Sequence, residues 1–326
     1  MASPETFQSA VLKAWFSGRL KEKIRDARDH LTDCCLCPRQ CHVNRLDGQR
    51  GFCRQGASAR IARALPHFGE EPPLSGNQGS GTVFFSGCAL RCRYCQNYQI
   101  SQQNLGEDRS PEELAGLFLD LQHQGCHNLN LVSPTPHLPF ILSALEIAAG
   151  RGLHLPLVYN THGYLSPATL DLLEGIVDIY LPDMKYAVAE TGVRFSQVGD
   201  YPLYNQEAIK VMFHQVGPLL VDGRGIAQRG LLVRHLILPD HLFNSKEILK
   251  TLAGFSLKIS LSLMSQYRPC FRSAHFPEIN RRLLPWEYEE VLDLARELGF
   301  EDIFTQDLDS SGFYFPDFRQ GDPFAG

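Results

Sequence analysis

The stretch Gly81-Thr-Val-Phe-Phe-Ser-Gly-Cys88-Ala-Leu-Arg-Cys92-Arg-Tyr-Cys95 carries the strongest signal in the chain. Its first part, Thr82–Ser86, is a short apolar run that predicts a buried strand. The strand leads directly into three cysteines, with three residues and then two residues between them. In parallel α/β folds the loops at the carboxyl ends of the strands form the active-site face, so we expect the cysteines to lie there.

Strands and helices alternate after this stretch. Ser110-Pro111-Glu112-Glu113 and Ser166-Pro167 each combine an N-cap serine with a proline at the first helical position, which predicts a helix start. Further apolar runs predict strands at 129–133, 157–160, 177–181, 231–238 and 257–263, and helices are expected at 5–30, 111–124, 140–149, 187–215 and 286–298. This order predicts an α/β fold with a parallel sheet, either an incomplete (β/α)6 barrel or a doubly wound sheet.

The composition is that of a globular protein. The 326 residues are 44% hydrophobic and 21% charged, and the net charge of −5 argues against a general nucleic-acid binder. No apolar run is long enough to cross a bilayer, and the first residues predict an amphipathic helix, not a signal peptide. We therefore expect a cytoplasmic protein whose ten cysteines serve metal binding or redox chemistry, not disulfides.

Three thiolates suit an open metal centre. Cys88, Cys92 and Cys95 could bind three irons of a 4Fe–4S cluster, which leaves the fourth iron free for a small molecule. The alternative is a zinc site that a distant histidine completes.

A second group of cysteines lies upstream. Cys34, Cys37, Cys41 and Cys53 provide four thiolates, which would close either a structural zinc site or another 4Fe–4S cluster, and Cys35 is left over. Residues 34–80 are rich in Cys, Arg, Gly and Pro, which indicates a compact, loop-rich module. An iron–sulfur centre there could relay electrons, whereas zinc would only fold the module.

These patterns predict three parts of the chain. Residues 1–80 form an N-terminal helix and Cys-rich metal-binding module, residues 81–300 the main α/β domain, and residues 301–326 an aromatic tail that covers one end of it.

The three-cysteine loop, with the aromatic Tyr94 before its last cysteine, resembles the signature of the radical S-adenosylmethionine (SAM) superfamily. Residues 81–97 resemble the activases of glycyl radical enzymes, of which pyruvate formate-lyase activating enzyme is the type member. The resemblance implies a partial (β/α)6 TIM-like barrel. It also implies a 4Fe–4S cluster that cleaves SAM reductively to methionine and a 5′-deoxyadenosyl radical.

Other segments carry the resemblance further. Ser133-Pro134-Thr135-Pro136 stands where the family has Gly-Gly-Glu-Pro, and because the glutamate is missing we expect Ser133 and Thr135 to substitute for it near SAM. The alternative is an ordinary proline-rich turn. Asn160 and Thr161 resemble the Thr-Asn-Gly segment that lies near SAM in the activases.

Charged residues complete the expected SAM site. Asp183-Met184-Lys185 matches the Asp-x-Lys motif of the activases and is expected to engage the amino acid moiety of SAM; a surface ion pair is the alternative. Arg234 interrupts an apolar strand, where a buried charge needs a partner. That partner is either the SAM carboxylate or a structural carboxylate.

Three functions follow as hypotheses. The first is an activase-like enzyme that abstracts hydrogen from a protein or peptide, with a glycyl radical enzyme as partner and a reductant such as flavodoxin or ferredoxin. The second is a radical SAM enzyme acting on a small molecule or RNA, of which the acidic charge disfavours RNA. The third is a non-enzymatic metal-binding scaffold, and the sequence does not identify the substrate.

Overall fold

A computed structural model describes residues 7–308 and 315–324 of the chain. The strands are β1 (Ala59–His67), β2 (Ser80–Phe85), β3 (Glu107–Arg109), β4 (Leu129–Val132), β5 (Leu157–Thr161), β6 (Ile179–Pro182), β7 (Leu220–Val221), β8 (Ala227–Leu236), β9 (Ser260–Met264) and β10 (Ile303–Thr305). The helices are α1 (Ala10–Phe16), α2 (Arg19–Asp29), α3 (Pro72–Ser75), α4 (Tyr98–Ser101), α5 (Pro111–His123), α6 (Leu138–Gly150), α7 (Pro167–Leu173), α8 (Ala189–Ser196), α9 (Tyr201–Val216), α10 (Leu242–Phe255) and α11 (Pro285–Glu297).

Seven parallel strands form the centre of one sheet. Their order is β10-β9-β8-β6-β5-β4-β2, and β1 and then β3 extend the sheet antiparallel beyond β2. The short β7 pairs with β8. Because β10 and β3 lie at opposite edges and do not pair, the sheet is not closed. This confirms the predicted α/β fold as a partial barrel.

Local signals place most of the elements. Ser110 caps α5 in a capping box with Glu113, and the Ser166 side chain accepts from the backbone N–H of Thr169 at the start of α7. The single helix predicted at 5–30 is two helices, α1 and α2. Gly18 has a φ of 78° between them, a left-handed conformation that ends one helix before the next begins.

The N-terminal region is less irregular than its composition indicates. It contains β1, which the sequence did not predict and which pairs with β2 from Ile61 opposite Phe85 to His67 opposite Ser80. Residues 59–67 therefore belong to the barrel sheet. The predicted boundary between an N-terminal module and the main domain at residue 80 remains a prediction. The pairing of β1 with β2 connects the parts of the chain before and after this boundary.

The core lies between the sheet and the helices around it, and α1 and α2 add Val11, Leu20 and Ile24 to it. A second cluster contains Cys92 and buried aromatic residues, among them Tyr94, Tyr186, Phe195, Tyr201 and Tyr267. In the described part of the chain, no helix is long and apolar enough to span a membrane.

The tail contributes to the same domain. Phe318 is buried against Phe84 of β2, with ring centroids 5.2 Å apart, and Phe324 lies 5.8 Å from Phe84. The predicted aromatic tail also includes Phe313 and Tyr314, which lie outside the described residues.

Candidate functional site

The three-cysteine loop follows β2 at its carboxyl end. Gly87 turns the chain with a φ of 80°, and Cys88, Cys92 and Cys95 then line one cavity. The residues after β4, β5 and β6 line the same cavity, because the carboxyl ends of parallel strands meet at one face. The loop therefore lies where strand order predicts an active site.

Each of the three sulfur atoms has a hydrogen-bonding neighbour. The backbone N–H of Leu90 donates to Cys88 Sγ at 3.4 Å, and the Ser196 hydroxyl donates to Cys92 Sγ at 2.9 Å. The Ser101 hydroxyl lies 3.2 Å from Cys95 Sγ. Such donors stabilise negative charge on sulfur, so the surroundings suit thiolate ligands.

Burial alone does not favour thiolates here. It raises the pKa of Cys95 to about 12 and raises the pKa of Cys88 and Cys92 as well. Lys185 partly opposes the rise at all three sulfurs. A bound metal would supply the remaining positive charge, since a coordinating thiol is deprotonated.

The sulfurs of the three-cysteine loop do not form a compact donor group of the kind that surrounds a single ion. Zinc holds sulfur ligands at about 2.3 Å, which places them within about 4 Å of one another. Among the described residues, the group of three or more donors whose ligand atoms all lie within 4.8 Å of one another is Asp33, Cys35 and His42. Cys88, Cys92 and Cys95 are not such a group.

An ion pair stands beside the cysteines. Lys185 Nζ donates to Asp183 Oδ2 at 2.6 Å, and both side chains are largely buried. Burial alone would lower the pKa of Lys185, but Asp183 and the thiol of Cys92 outweigh burial and raise it. Tyr201 and Asn205 hold the segment by donating to the Asp183 carbonyl at 3.0 Å and 2.9 Å. The pair is part of the cavity wall, not a surface salt bridge.

Most of the other residues predicted to lie near SAM line this cavity: Tyr94, Ser133, Asn160 and Thr161. Thr135 differs from them. It is fully buried, and its hydroxyl forms a 2.9 Å hydrogen bond with Tyr159 OH in the core. Ser133 has a φ of 57°, so the turn after β4 is strained where the family's motif would lie.

Arg234 also lines the cavity, and its partners are protein carboxylates. Its Nε donates to Glu71 Oε1 at 2.7 Å, its Nη2 donates to Glu71 Oε2 at 2.5 Å, and Nη2 also contacts Glu70. The structural-carboxylate alternative therefore describes its contacts here. Sequence reasoning missed Glu70, which lines the cavity from the loop after β1. The position of Glu70 in the cavity could have been predicted only if β1 had been recognised as a strand of the sheet.

The four upstream cysteines lie together. Burial raises the pKa of Cys37 to about 12, and the thiols of Cys34, Cys41 and Cys53 add to the rise. A side chain at Gly51 would come within 2.8 Å of Cys41 Sγ, so the glycine permits the close turn around this group. The donor set therefore fits a four-thiolate metal centre.

Cys35 lies beside this group and contacts a histidine. Its Sγ lies 3.5 Å from His42 Nδ1, and His42 Nδ1 lies 2.8 Å from Asp33 Oδ1.

The upstream group is packed directly on the three-cysteine loop. The guanidinium groups of Arg39 and Arg91 lie 4.0 Å and 4.5 Å from the centre of the Phe52 ring, as in cation–π contacts. Arg39 Nε donates to the Ala89 carbonyl at 3.1 Å, and Arg91 donates to the Phe52 carbonyl. Residues beside Cys53 thus contact residues between Cys88 and Cys92.

Comparison with known proteins identifies the class. Residues 82–195 match the family described as the radical SAM superfamily. "Uncharacterized protein MJ0674" of Methanocaldococcus jannaschii is 33% identical over 294 residues, which are 86% of this chain and 80% of that protein. "Uncharacterized protein MJ0808" of the same organism is 24% identical over 84% of this chain and 79% of that protein.

The chain belongs to the radical SAM superfamily. Membership implies that it is an enzyme that uses a 4Fe–4S cluster and SAM.

Solved structures show distant likeness. SuiB of Streptococcus suis bound to S-adenosylmethionine superposes with a TM-score of 0.48 and 10% identity, over 69% of this chain and 49% of that one. The chain thus spans about half the length of SuiB. A domain of pyruvate-formate lyase-activating enzyme from Bacteroides vulgatus gives a TM-score of 0.35 and 12% identity, over 60% of this chain and 91% of that one.

Proposed function

We propose that Cys88, Cys92 and Cys95 hold the 4Fe–4S cluster and that SAM binds in the cavity beside them. When bound, the cluster supplies the electron that cleaves SAM to methionine and a 5′-deoxyadenosyl radical. The observation that carries this proposal is the meeting of three thiols and the Asp183–Lys185 pair at one cavity.

The protein side chains bind and orient SAM. Lys185 can donate to the SAM carboxylate, and Asp183 can accept from its ammonium group, because the pair presents both charges to the cavity. Ser133, Asn160 and Thr161 add polar groups on the same wall, and Tyr94 packs beside the cluster ligands. Thr135 supports the site indirectly by holding the turn after β4, because its hydroxyl forms a hydrogen bond with Tyr159 and not with SAM.

The second proposed centre is an iron–sulfur cluster on Cys34, Cys37, Cys41 and Cys53. As at the other loop, these sulfurs are not among the donor groups within 4.8 Å of one another in the described residues. Four thiolates are the usual full complement of a 4Fe–4S cluster, and the contacts of this group with the three-cysteine loop suit a centre that relays electrons.

The proposed reaction is hydrogen abstraction from a protein or peptide, as in the glycyl radical activases that residues 81–97 resemble. A glycyl radical enzyme is the proposed protein partner, and flavodoxin or ferredoxin is the proposed reductant. The proposed compartment is the cytoplasm. A small-molecule substrate is the second candidate, because the charged side chains of Glu70 and Arg234 line the cavity and offer specific contacts to a compact polar compound.

The decisive experiment is anaerobic reduction with SAM, followed by quantification of 5′-deoxyadenosine. We expect product from the wild type and none above background from Cys92→Ala, with Cys126→Ala as the matched control because Cys126 lies in the core away from both groups. Normal product formation by Cys92→Ala would contradict the assignment.

Iron counting on the same samples tests the upstream centre. We expect about four fewer irons per chain in Cys53→Ser and an unchanged count in Cys35→Ser. Zinc in place of the lost iron would refute the second cluster. A protein radical formed on a co-encoded glycyl radical enzyme would support the activase reaction, and its absence from every candidate protein would favour a small substrate.

A further inference from the structure

A third group of metal-binding side chains lies beside the upstream cysteines. Asp33, Cys35 and His42 place a carboxylate oxygen, a sulfur and an imidazole nitrogen within 4.8 Å of one another. The two iron–sulfur centres proposed above use other cysteines and need none of these three residues. The group can therefore bind a ligand of its own while both proposed centres are occupied.

Backbone hydrogen bonds hold the three side chains together. The N–H of Cys34 donates to the Val43 carbonyl, and the N–H of His42 donates to the Cys34 carbonyl, each at 3.2 Å. Asp33 and Cys35 flank Cys34 in the chain, so these bonds bring His42 alongside both of them. The donors thus come from two segments that are already paired, and little chain ordering remains for a ligand to impose.

Both neighbours of His42 meet at the same ring nitrogen. Cys35 Sγ lies 3.5 Å from Nδ1 and 4.0 Å from Nε2, and Asp33 Oδ1 lies 2.8 Å from Nδ1. A nucleophile–histidine–carboxylate relay uses the two nitrogens of the ring for different partners, so this group does not have the geometry of a catalytic triad. Three donor atoms that converge on one point are what a single metal ion requires.

Hydrogen bonds within the group cannot satisfy all three side chains. Nδ1 of a neutral imidazole either carries a proton or accepts one, so it cannot donate to Asp33 and accept from the Cys35 thiol at the same time. The contact between His42 and Asp33 is also exposed, with 60% and 64% of the two side chains accessible. Exposed pairs of this kind contribute little to stability, so an ion that replaces the pair loses little.

The distances and the donor types match zinc. Around a tetrahedral zinc ion, sulfur at about 2.3 Å and nitrogen at about 2.0 Å lie about 3.5 Å apart. Cys35 Sγ and His42 Nδ1 have this separation. The exposed Asp33 carboxylate needs to move away from Nδ1 by only about half an ångström to complete the set. Magnesium and calcium prefer oxygen ligands alone, so a set of sulfur, nitrogen and oxygen selects against them.

We infer that Asp33, Cys35 and His42 form a third metal site that binds one zinc ion, with water in the fourth position. The site goes beyond the proposed SAM chemistry and does not depend on it. Asp33 follows α2, and His42 belongs to the segment that carries the upstream cysteines. The ion would therefore fasten that segment to the end of the helix.

The test uses full-length protein reconstituted anaerobically with iron and sulfide, and analysed for zinc and iron before and after dialysis against a zinc buffer. We expect about one additional zinc per chain with an unchanged iron content. Cys35→Ser and His42→Gln should bind this zinc at least tenfold more weakly. His214→Gln is the matched control, because His214 is an exposed histidine on α9. A parallel dialysis against magnesium should add no magnesium.

X-ray absorption at the zinc edge identifies the ligands on the wild type, even if a variant does not fold. We expect one sulfur and three lighter atoms around the added zinc. Three or four sulfurs, or loss of iron in step with zinc uptake, would place the zinc on the other cysteines and overturn the inference. No added zinc, equal zinc binding in wild type and Cys35→Ser, or equally tight magnesium binding would also overturn it. SAM cleavage is assayed separately with reductant, so its failure does not affect the zinc result.

Discussion

The Ser196 hydroxyl is expected to set the reduction potential of the cluster proposed at Cys92. It donates to Cys92 Sγ at 2.9 Å, and Ser196 is fully buried at the end of α8. Because the hydroxyl uses its proton on sulfur, it accepts from Tyr186 OH at 2.6 Å, which in turn accepts from Tyr94 OH at 2.8 Å. The side chains thus form one chain of donors that ends on a cluster ligand.

The size of the expected shift in reduction potential follows from the single hydrogen bond between Ser196 and Cys92. A donor to sulfur stabilises the reduced cluster more than the oxidised one, because reduction adds negative charge. If the difference is about 1 kcal/mol, as for one hydrogen bond, Ser196→Ala lowers the one-electron potential by about 40 mV. Tyr186→Phe leaves the bond to sulfur intact and removes only the polarising donor behind it, so it should give a smaller shift in the same direction.

The assay is a potentiometric titration monitored by electron paramagnetic resonance, on variants with the iron content of wild type. A potential that stays within error of wild type in Ser196→Ala, or that rises, would refute this account of the bond. A larger shift in Tyr186→Phe than in Ser196→Ala would refute the order of donors.

Two further predictions concern stability and assembly. Gly87→Ala should lower the melting temperature and the iron-to-protein ratio more than Gly217→Ala: both glycines have positive φ, but only at Gly87 would a side chain meet the Cys53 carbonyl, at 2.8 Å. Glu287→Gln should lose up to about 3 kcal/mol of unfolding free energy at pH 7, checked by urea denaturation at pH 7 and pH 3. Burial alone would raise the pKa of Glu287, but Arg281 and two backbone N–H groups lower this pKa to about 2. The ionised carboxylate therefore stabilises the fold fully above its ordinary pKa of 4.5, and this stabilisation fades as the pH falls toward 2. The difference in unfolding free energy between wild type and Glu287→Gln should be smaller at pH 3 than at pH 7.

The sequence could predict the parts of the site that follow parallel strands. Cys88, Ser133, Asn160 and Asp183 come after or at the ends of β2, β4, β5 and β6, and all four line one cavity. This succeeds because parallel pairing brings carboxyl ends to one edge, whatever the helices between them do. The sequence could predict helix starts equally well, because a capping serine such as Ser110 forms its hydrogen bonds with residues next to it in the chain.

Residues held by distant partners could not be predicted in this way. β1 carries Arg60 and Arg63 among its apolar residues, which hides its strand character. Arg60 is balanced by Asp108, 3.1 Å away on β3, and Arg63 donates to the Gln320 carbonyl in the tail. Without β1, neither the antiparallel edge nor the arrival of Glu70 in the cavity could be anticipated.

The contacts between the two cysteine groups bear on how their variants should be interpreted. Phe52 is covered by Arg91, and Arg91 lies inside the loop that carries Cys88 and Cys92. Loss of metal from the upstream group would release the turn at Cys53 and, with it, the ring that supports this loop. Lower SAM cleavage in an upstream cysteine variant can therefore arise from a displaced loop as well as from a lost electron path. Phe52→Ala separates the two causes, because it removes the ring contacts with Arg39 and Arg91 and leaves all four upstream thiols in place.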